Sequence, residues 1–173
     1  MTRTGPPFLL LAFLALFLHG CAGYTHDFAL PRGAEGVHSV AIQIFKNKTL
    51  YQDIENEFTL ALQREISAKT PLRIETRASA DSLVAGAIES YEQTVLREDK
   101  VNNVARYSLA LTVSYQFVRL PSGGAPEKVI SSAQDLKRSV EYEVLSNQTE
   151  SAARAEAVRK VARKVVSHIF ETW

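Results

Sequence analysis

Cysteine is almost absent from this chain of 173 residues, because Cys21 is the only one; an internal disulfide is therefore excluded. Histidine is also scarce: the chain contains His19, His26, His38 and His168, which are scattered without the short spacings of metal ligands. The sequence has no glycine-rich phosphate loop and no set of nucleophile, base and acid. We therefore expect no metal, no cofactor and no catalytic residues, which argues against an enzyme.

A large net charge is lacking as well, since 20 basic residues face 19 acidic ones. Arg3 is the only charged residue among residues 1–20, so the rest of the chain has 19 basic and 19 acidic residues. This balance argues against attraction of the whole surface to nucleic acid or to anionic lipid. Recognition of a charged ligand then requires a local cluster of like charges, and nucleic acid is not an expected partner.

The apolar run near the N-terminus is short. It covers the eleven residues Phe8–Leu18, whereas a helix that spans a membrane needs about 20. Its length fits the hydrophobic core of a signal peptide. The run ends in a tetrapeptide typical of a bacterial lipobox, Leu18, His19, Gly20 and Cys21, although a small or β-branched residue normally occupies the position of His19.

The sole cysteine is the expected lipidation site. A diacylglyceryl thioether on Cys21 would occupy a thiol that is otherwise exposed in an oxidising compartment. Three acyl chains, at about 0.8 kcal/mol per buried methylene, hold a protein on a bilayer. Ala22 follows where an aspartate would commonly signal inner-membrane retention, so we expect the periplasmic side of the outer membrane. The alternative is an ordinary secretory signal that happens to precede a free cysteine.

Processing at this point predicts three parts of the chain: a lipoprotein signal peptide over residues 1–20, a lipidated tether over residues 21–36 and one domain over residues 37–173. The tether is expected to be extended because it has no sustained hydrophobic period and contains Gly23, Pro31, Gly33 and Gly36. The 153 residues that follow the signal are the length of one ordinary domain.

The first half of the domain predicts a strand, a helix and a second strand. In the first strand Val40, Ile42 and Ile44 alternate with Ala41, Gln43 and Phe45. Asp53 can cap a helix that ends before Pro71, with apolar positions three and four apart at Ile54, Phe58, Ala61, Leu62 and Ile66. Leu72, Ile74 and Thr76 form the second strand. Such a strand-helix-strand order favours parallel pairing.

The second half predicts further strands and a closing helix. Leu83–Leu96 alternates and becomes polar, so this strand should leave the core as it proceeds. The next strand presents six large residues on one face, Tyr107, Leu109, Leu111, Val113, Tyr115 and Phe117. Val129–Val144 supplies one long or two short strands. The last helix carries an apolar stripe at Val158, Val161, Ala162, Val165, Ile169 and Trp173.

Together these segments predict an α+β fold in β-α-β-β-β-α order, with a mixed sheet of about four to five strands. Both amphipathic helices should pack on one face of the sheet. The second face of the strand around Tyr107–Leu120 carries small and polar residues. That face can contact water or the inside of another protein.

Several of these segments resemble the lipopolysaccharide-assembly lipoproteins, the LptE family. The resemblance lies in the signal ending at Cys21-Ala-Gly-Tyr24, in Ile44-Phe-Lys-Asn-Lys-Thr-Leu-Tyr51, in Asp53-Ile-Glu55, in Ala78-Ser-Ala-Asp81-Ser-Leu-Val-Ala-Gly86 with Ser90-Tyr91, in Tyr107-Ser-Leu-Ala-Leu-Thr-Val113 and in the closing helix. Val129-Ile-Ser131 departs from the family, because an aromatic residue is expected there. The resemblance covers essentially the whole chain after the signal.

The resemblance implies a protein without catalytic activity. Proteins similar to LptE plug the lumen of the β-barrel protein LptD, help that barrel to assemble and bind lipopolysaccharide. Partners expected by this resemblance are therefore an LptD-type outer-membrane barrel and lipopolysaccharide, together with the membrane through the lipid anchor.

Local charge alone suggests which residues could contact lipid A phosphates. Arginine can bind phosphate with two parallel hydrogen bonds, and the candidates are Arg97, Lys100, Arg106, Lys137 and Arg138. The alternative is that they keep a hairpin soluble, with nearby acids neutralising them. A basic cluster on the last helix, which includes Arg154, is more simply explained by the helix dipole.

Two other functions stay open from the sequence. The segment Phe45-Lys-Asn47-Lys-Thr49 also resembles the Phe-x-Asn-x-Thr segment of lipoproteins that activate a cell-wall synthase. A periplasmic enzyme is the second alternative, although the sequence offers no nucleophile, base or metal site for it. Co-purification with a large barrel or with a single-span synthase would separate the two adaptor functions.

Overall fold

The computed structural model of the protein describes residues 30–98, 104–121, 126–143 and 149–170. The elements in chain order are β1 (Ser39–Ile42), β2 (Lys46–Asn47), α1 (Ile54–Lys69), β3 (Arg73–Ile74), β4 (Ser82–Glu98), β5 (Val104–Arg119), β6 (Lys128–Glu143) and α2 (Glu150–Phe170). Neither helix is long and apolar enough to span a membrane within these described ranges.

The strands form one mixed sheet in the order β3-β1-β4-β5-β6, with β2 paired to β4. β1 lies parallel to both β3 and β4, as the strand-helix-strand order predicts. β4, β5 and β6 form an antiparallel meander of long strands. The predicted α+β class and mixed sheet are confirmed, with two-residue β2 and β3 as short additional partners.

Both helices pack on the same face of the sheet. The main core joins apolar side chains from α1 and α2 to Val113, Tyr115 and Phe117 of β5. Phe58 and Leu62 of α1 are completely buried in it. Burial of such side chains stabilises the fold by about 1.5 to 3 kcal/mol each. The predicted placement of the two helices is therefore confirmed.

The ends of α1 lie where the sequence predicts, but its first turn is not capped as expected. The Asp53 side chain makes no capping hydrogen bond, and its backbone is left-handed with φ 64°. Instead, the Asp53 carbonyl accepts hydrogen bonds from the amides of Asn56 and Glu57, both at 3.1 Å. At the other end the Thr70 amide donates to Ile66 O, and Pro71 follows.

α2 confirms the apolar stripe of the closing helix. Val158, Val161, Ala162, Val165 and Ile169 are all buried, whereas the predicted end at Trp173 lies outside the described residues. The three- and four-residue spacing of these side chains places them on one side of the helix. That side covers β5 and β6.

The predicted alternation in the first strand is wrong after Ile42. Phe45 is buried, with 2% of its surface exposed, whereas Ile44 is 58% exposed. Strand pairing is interrupted between β1 and β2, where only the Gln43 amide donates to Val84 O. The interruption shifts the side-chain alternation by one residue. Phe45, and not Ile44, therefore points into the same core as Val40.

The expectation of an extended tether over residues 21–36 does not hold for its last residues. Ala34 is completely buried in the main core, and Leu30 packs against it. Arg119 donates a hydrogen bond to Glu35 O, and the Val37 amide donates to Ala34 O at 3.0 Å. Apolar burial and these hydrogen bonds place residues 30–36 on the domain, and Cys21–Ala29 lies outside the described residues.

The region Val129–Val144, for which the sequence allows one strand or two, is a single strand over its described part, β6, with an irregularity near its middle. Asp135 has a positive φ of 54°, and the register with β5 shifts between Val113 and Tyr115. The Asp135 amide donates to the Ser114 hydroxyl at 3.3 Å. This bulge lets β6 stay paired with β5 from Arg106 to Arg119 while the strand changes twist.

Candidate functional site

The sheet face opposite the helices is the candidate functional surface, called here the open face. Its residues are identified by register: they alternate along β5 with the buried side chains that contact the helices. Most of them are small or polar, and they include Ala85, Ala87, Ser90, Ser108, Ala110, Thr112, Ser114, Ser132 and Ser139. No helix among the described ranges covers this face.

An ion pair crosses the open face above β5. Lys137 on β6 lies 3.0 Å from Glu92 on β4, although their register partners Thr112 and Ala110 both belong to β5. Thr112 and Ala110 are consequently only 8% and 7% exposed without any covering helix. The hydrogen bond from Lys137 holds the pKa of Glu92 below its ordinary value. The face is therefore nearly neutral at its centre.

A second cluster of charges lies at the far end of the open face. Arg106 Nε donates to Glu143 Oε1 at 2.9 Å, and Arg106 Nη1 lies 3.8 Å from Glu141. The Glu143 carboxylate raises the pKa of the arginine. Arg97 is the register partner of Arg106 on the neighbouring strand and is exposed. Two arginines thus lie side by side, and Glu141 and Glu143 contact Arg106 from β6.

The predicted lipopolysaccharide contacts do not form one site. Arg97 and Arg106 are adjacent, but Lys137 pairs with Thr112, six residues farther along β5 and therefore about 20 Å away. Arg138 lies on the helix side of the sheet, opposite Leu111, and donates to Lys137 O. Lys100 and the lipidation residue Cys21 lie outside the described residues.

A groove of about 420 Å³ opens on the open face beside β2. Its walls include Lys46, Lys48 and Gln116, and its floor includes Gly86. A Cβ at Gly86 would overlap the Ser114 carbonyl oxygen and the Phe45 ring. Glycine is therefore required at this position because the backbone of β5 and an aromatic ring both approach it closely.

The segment that also resembles synthase activators has structural roles in this fold. Phe45 packs edge-on against Phe58 with ring centroids 4.8 Å apart. Asn47 Nδ2 donates to Tyr51 O at 2.7 Å and to Glu55 at 2.8 Å. Its Oδ1 accepts from the amide and hydroxyl of Thr49. The three residues of the pattern thus fix the turn from β2 into α1.

Asp81 is a structural residue that the sequence reasoning did not single out. Its Oδ2 accepts hydrogen bonds from the amides of His38 and Ser39 and from the Ser39 hydroxyl, at 2.9 to 3.0 Å. The Ser39 hydroxyl in turn accepts from the Asp81 amide at 3.0 Å. These bonds, above all the one from the His38 amide, lower the pKa of the carboxyl. Asp81 therefore joins the start of β1 to the start of β4.

Arg154 of the basic last helix is held inside the molecule. Its Nε and Nη2 each lie 3.2 Å from the Glu57 carboxylate, and its guanidinium carbon lies 4.8 Å from the centre of the Tyr51 ring. The ring of Tyr51 in turn packs against Tyr91 at 4.8 Å. This arginine ties α2 to α1, so it does not belong to an exposed basic surface.

Metal-ligand clusters and unpartnered buried polar side chains were sought in the described part of the chain. Groups of three or more His, Cys, Asp or Glu side chains placed to hold a metal ion are not found there. Buried side-chain nitrogen and oxygen atoms that lack a hydrogen-bond partner are not found there either. The open face and the groove beside β2 are the surfaces considered below for the proposed barrel partner.

Comparison with solved structures identifies the same fold elsewhere. A hypothetical protein from Chlamydia trachomatis is 12% identical, with a TM-score of 0.51, and the match covers 77% of this chain and 98% of that chain. A PelC dodecamer from Paraburkholderia phytofirmans is 18% identical, with a TM-score of 0.51 and coverage of 84% and 96%. At these identities the likeness concerns the fold alone.

No curated protein matches the chain significantly. The family profile of LptE, described as lipopolysaccharide-assembly, matches residues 37–169. This range contains every strand and all but the last residue of the closing helix. It also contains the Asp81 network, the turn from β2 into α1 and the whole open face. The chain therefore belongs to the LptE family of lipopolysaccharide-assembly proteins.

Proposed function

We propose that this protein is a lipoprotein of the outer membrane, anchored through Cys21 on the periplasmic side, that plugs an LptD-type β-barrel and helps the barrel to assemble. Membership of the LptE family supports the role in lipopolysaccharide assembly. The anchor rests on the lipobox, whose cysteine is the only one in the chain. Export and lipid attachment would place the domain where such a barrel is built.

The open face carries the proposal that the domain sits inside a barrel. It is wide, nearly neutral at its centre and formed by small side chains such as Ser108, Ala110 and Ser114. Small polar side chains let a second backbone approach closely and can hydrogen-bond to the polar lumen of a barrel. The charges at the centre of the face, Lys137 and Glu92, are already paired with each other. A sheet face covered by water would also carry small and polar side chains, and photo-crosslinking distinguishes the two.

Lipopolysaccharide binding is proposed at the Arg97 and Arg106 end of the sheet. The two arginines are neighbours in register, and Arg97 is exposed. A phosphate placed between them would relieve the repulsion of two adjacent like charges and would accept charge-assisted hydrogen bonds. Lys100, in the connection that follows Arg97, is proposed as a third contact. Lys137 and Arg138 are weaker candidates because they lie on opposite faces of the sheet.

Photo-crosslinking tests the proposed plug. Crosslinking residues at Ser108 and Ser114, which are half-buried on the open face, should capture one large outer-membrane barrel in intact cells. The matched control is a crosslinker at Arg159, which is exposed on α2, and it should capture that barrel much less. Equal capture from both sides, or no capture of a barrel from the open face, would contradict the plug.

Activation of a cell-wall synthase is the alternative that the sequence raised. Its only support is the Phe-x-Asn-x-Thr pattern, and Phe45, Asn47 and Thr49 have structural roles in this fold. The pattern therefore does not favour the alternative over the barrel partner. Co-purification of the native lipoprotein with a single-span synthase in place of a barrel would favour it.

A further inference from the structure

Among the described residues, the outer edge of β4 has no strand partner over about half its length. β1 pairs with β4 at Ser82–Val84, and β2 pairs with it at Ala87 and Ile88. The last hydrogen bond on this side is from the Lys48 amide to Ile88 O at 3.1 Å. From Ser90 to Arg97, β4 pairs only with β5 among the described residues. This stretch is called here the free edge.

Apolar side chains accompany the free edge. Val95 is 45% exposed and Leu96 is 48% exposed. Leu50, in the turn that leaves β2, is fully exposed at 104%. The turn is held by the Asn47 side chain, which bonds to Thr49 and to Tyr51 O, so Leu50 is presented on a fixed backbone. A rigidly held and fully exposed leucine is a typical anchor for a partner.

A groove of about 400 Å³ lies where the free edge begins. One wall is the Lys48–Tyr51 turn, and the other is Glu89–Tyr91 of β4. At this turn the chain leaves β2 and no longer runs beside β4, whereas β4 continues beyond the turn. A strand that continued the line of β1 and β2 would therefore enter the groove and then run beside the free edge.

We propose that the free edge binds an extended, uncharged segment of a partner polypeptide, which adds to the sheet as a further strand next to β4. The main-chain N–H and C=O groups on the outer side of Ser90–Arg97 supply the hydrogen bonds. Leu50 and Tyr91 contact the apolar side chains at the start of that segment. This inference goes beyond the proposed plug because it requires no particular identity of the partner.

Charge favours an uncharged occupant. The two acids at the start of the free edge already have partners: Glu89 lies 2.7 Å from Lys48, and Glu92 lies 3.0 Å from Lys137. A basic segment would have to displace these lysines, and an acidic one would meet the two carboxylates. Neutral backbone and apolar or hydroxyl side chains match the edge without breaking either ion pair.

Chain length excludes the protein's own N-terminal segment. Leu30 lies beside Val37 and His38, near the position where Val40 pairs with Ser82. From Ser82 the free edge extends eight to fifteen residues away, or about 26 to 50 Å. If the mature chain begins at Cys21, as proposed above, residues 21–29 span at most about 32 Å. They cannot reach and also cover the free edge.

Binding of a designed peptide to the full-length lipidated chain in nanodiscs tests the proposal. The probe is an end-capped octapeptide of alternating valine and threonine, and the readouts are its binding curve and the hydrogen exchange of residues 90–97. We expect saturable binding and at least about tenfold slower exchange in this segment. Two isomers of the peptide are also used, which carry N-methyl groups on the odd-numbered or on the even-numbered amides. They separate backbone pairing from nonspecific hydrophobic binding, because only one of the two sets of amides faces the edge.

One N-methylated isomer should bind like the parent, and the other at least about tenfold more weakly. Leu50→Ser should weaken binding, whereas Leu60→Ser, which alters a leucine 52% exposed on α1, should leave it unchanged. Equal binding of both isomers, equal effects of the two serine variants, or no binding at millimolar peptide would overturn the proposal. Slower hydrogen exchange of residues 90–97 at higher protein concentration, without any peptide, would also overturn the proposal. It would indicate that a second copy of the chain occupies the free edge.

Discussion

Replacing Asp81 by asparagine should lower the free energy of unfolding at neutral pH by about 2 kcal/mol. The carboxylate accepts three hydrogen bonds, from the amides of His38 and Ser39 and from the Ser39 hydroxyl. A hydrogen bond to a charged group contributes roughly 1.5 to 3 kcal/mol when it is sheltered. Two effects reduce the sum: the site is only partly buried, and the asparagine oxygen still accepts one or two of these bonds.

The effect of Asp81→Asn should depend on pH with a defined sign. The three donors, led by the His38 amide, hold the pKa of the carboxyl below its ordinary value of 3.8. A carboxyl with a lowered folded-state pKa stabilises the fold above its unfolded-state pKa and loses this contribution as pH falls through the folded-state pKa. The difference between wild type and variant should therefore be largest at neutral pH and shrink in acid.

Urea denaturation of both proteins at pH 7 and at about pH 3 measures this difference. Asp53→Asn is the matched control, because the Asp53 side chain makes no capping bond and its backbone is left-handed. Asparagine tolerates that conformation, so this change should alter the free energy of unfolding by less than about 0.5 kcal/mol. Equal losses for the two variants, or a loss for Asp81→Asn that is the same at both pH values, would refute the reasoning.

Three further predictions concern the groove, the anchor and the ligand. Gly86→Ala should lower the free energy of unfolding by about 3 kcal/mol or more, because the added carbon meets the Ser114 carbonyl and the Phe45 ring; a melting temperature unchanged from wild type would contradict this contact. Cys21→Ser should leave a soluble or uncleaved protein, and mass spectrometry of the native membrane fraction checks it, since an unmodified N-terminus at another residue would disprove lipidation. Arg97→Glu combined with Lys100→Glu should weaken lipopolysaccharide binding, and added salt should weaken the wild type in the same direction. Two sheltered contacts would change the affinity by orders of magnitude and two exposed ones barely, so unchanged binding by a folded double variant removes both residues from the site.

Periodic patterns were sufficient to predict the helices and the strand at the centre of the core. Phe58 and Leu62 on α1, and Leu111 and Val113 on β5, repeat at helical and strand spacing, and all four are fully buried. Such patterns are local, so each is visible in a window of a few residues. The sheet class and the shared helix face follow from them because every apolar face requires a cover.

Contacts between distant parts of the chain could not be predicted in this way. Phe45 is buried and Ile44 is exposed, the reverse of the predicted alternation. The reason is the interruption between β1 and β2, which depends on the pairing of both strands with β4. Asp81 accepts from residues 42 and 43 positions away, and nothing beside it in the sequence indicates those donors. Ala34 is buried only because the folded sheet offers a place for it.

The candidate site shows the same division. The small residues on the second face of β5 could be read from the sequence because they alternate with the core residues. The grouping of the four described candidate cations could not, because it depends on strand register. Arg97 faces Arg106, whereas Lys137 pairs with Thr112 and Arg138 with Leu111. A shift of one residue would move Lys137 to the helix side and Arg138 to the open face.

The parallel position of β1 has a consequence for the order in which the chain folds. β1 must wait for partners far along the chain, since Ser39 pairs with Arg73 and Val40 with Ser82, whereas β4, β5 and β6 join through consecutive hairpins. Closing the longer loops costs more entropy, and such contacts form more slowly. We therefore expect the meander to acquire protection first in pulse-labelled hydrogen exchange, and β1 last. β1, the strand nearest the proposed anchor, would then be the last to pair. Until it pairs, the folding meander would be free to rotate relative to the lipid anchor.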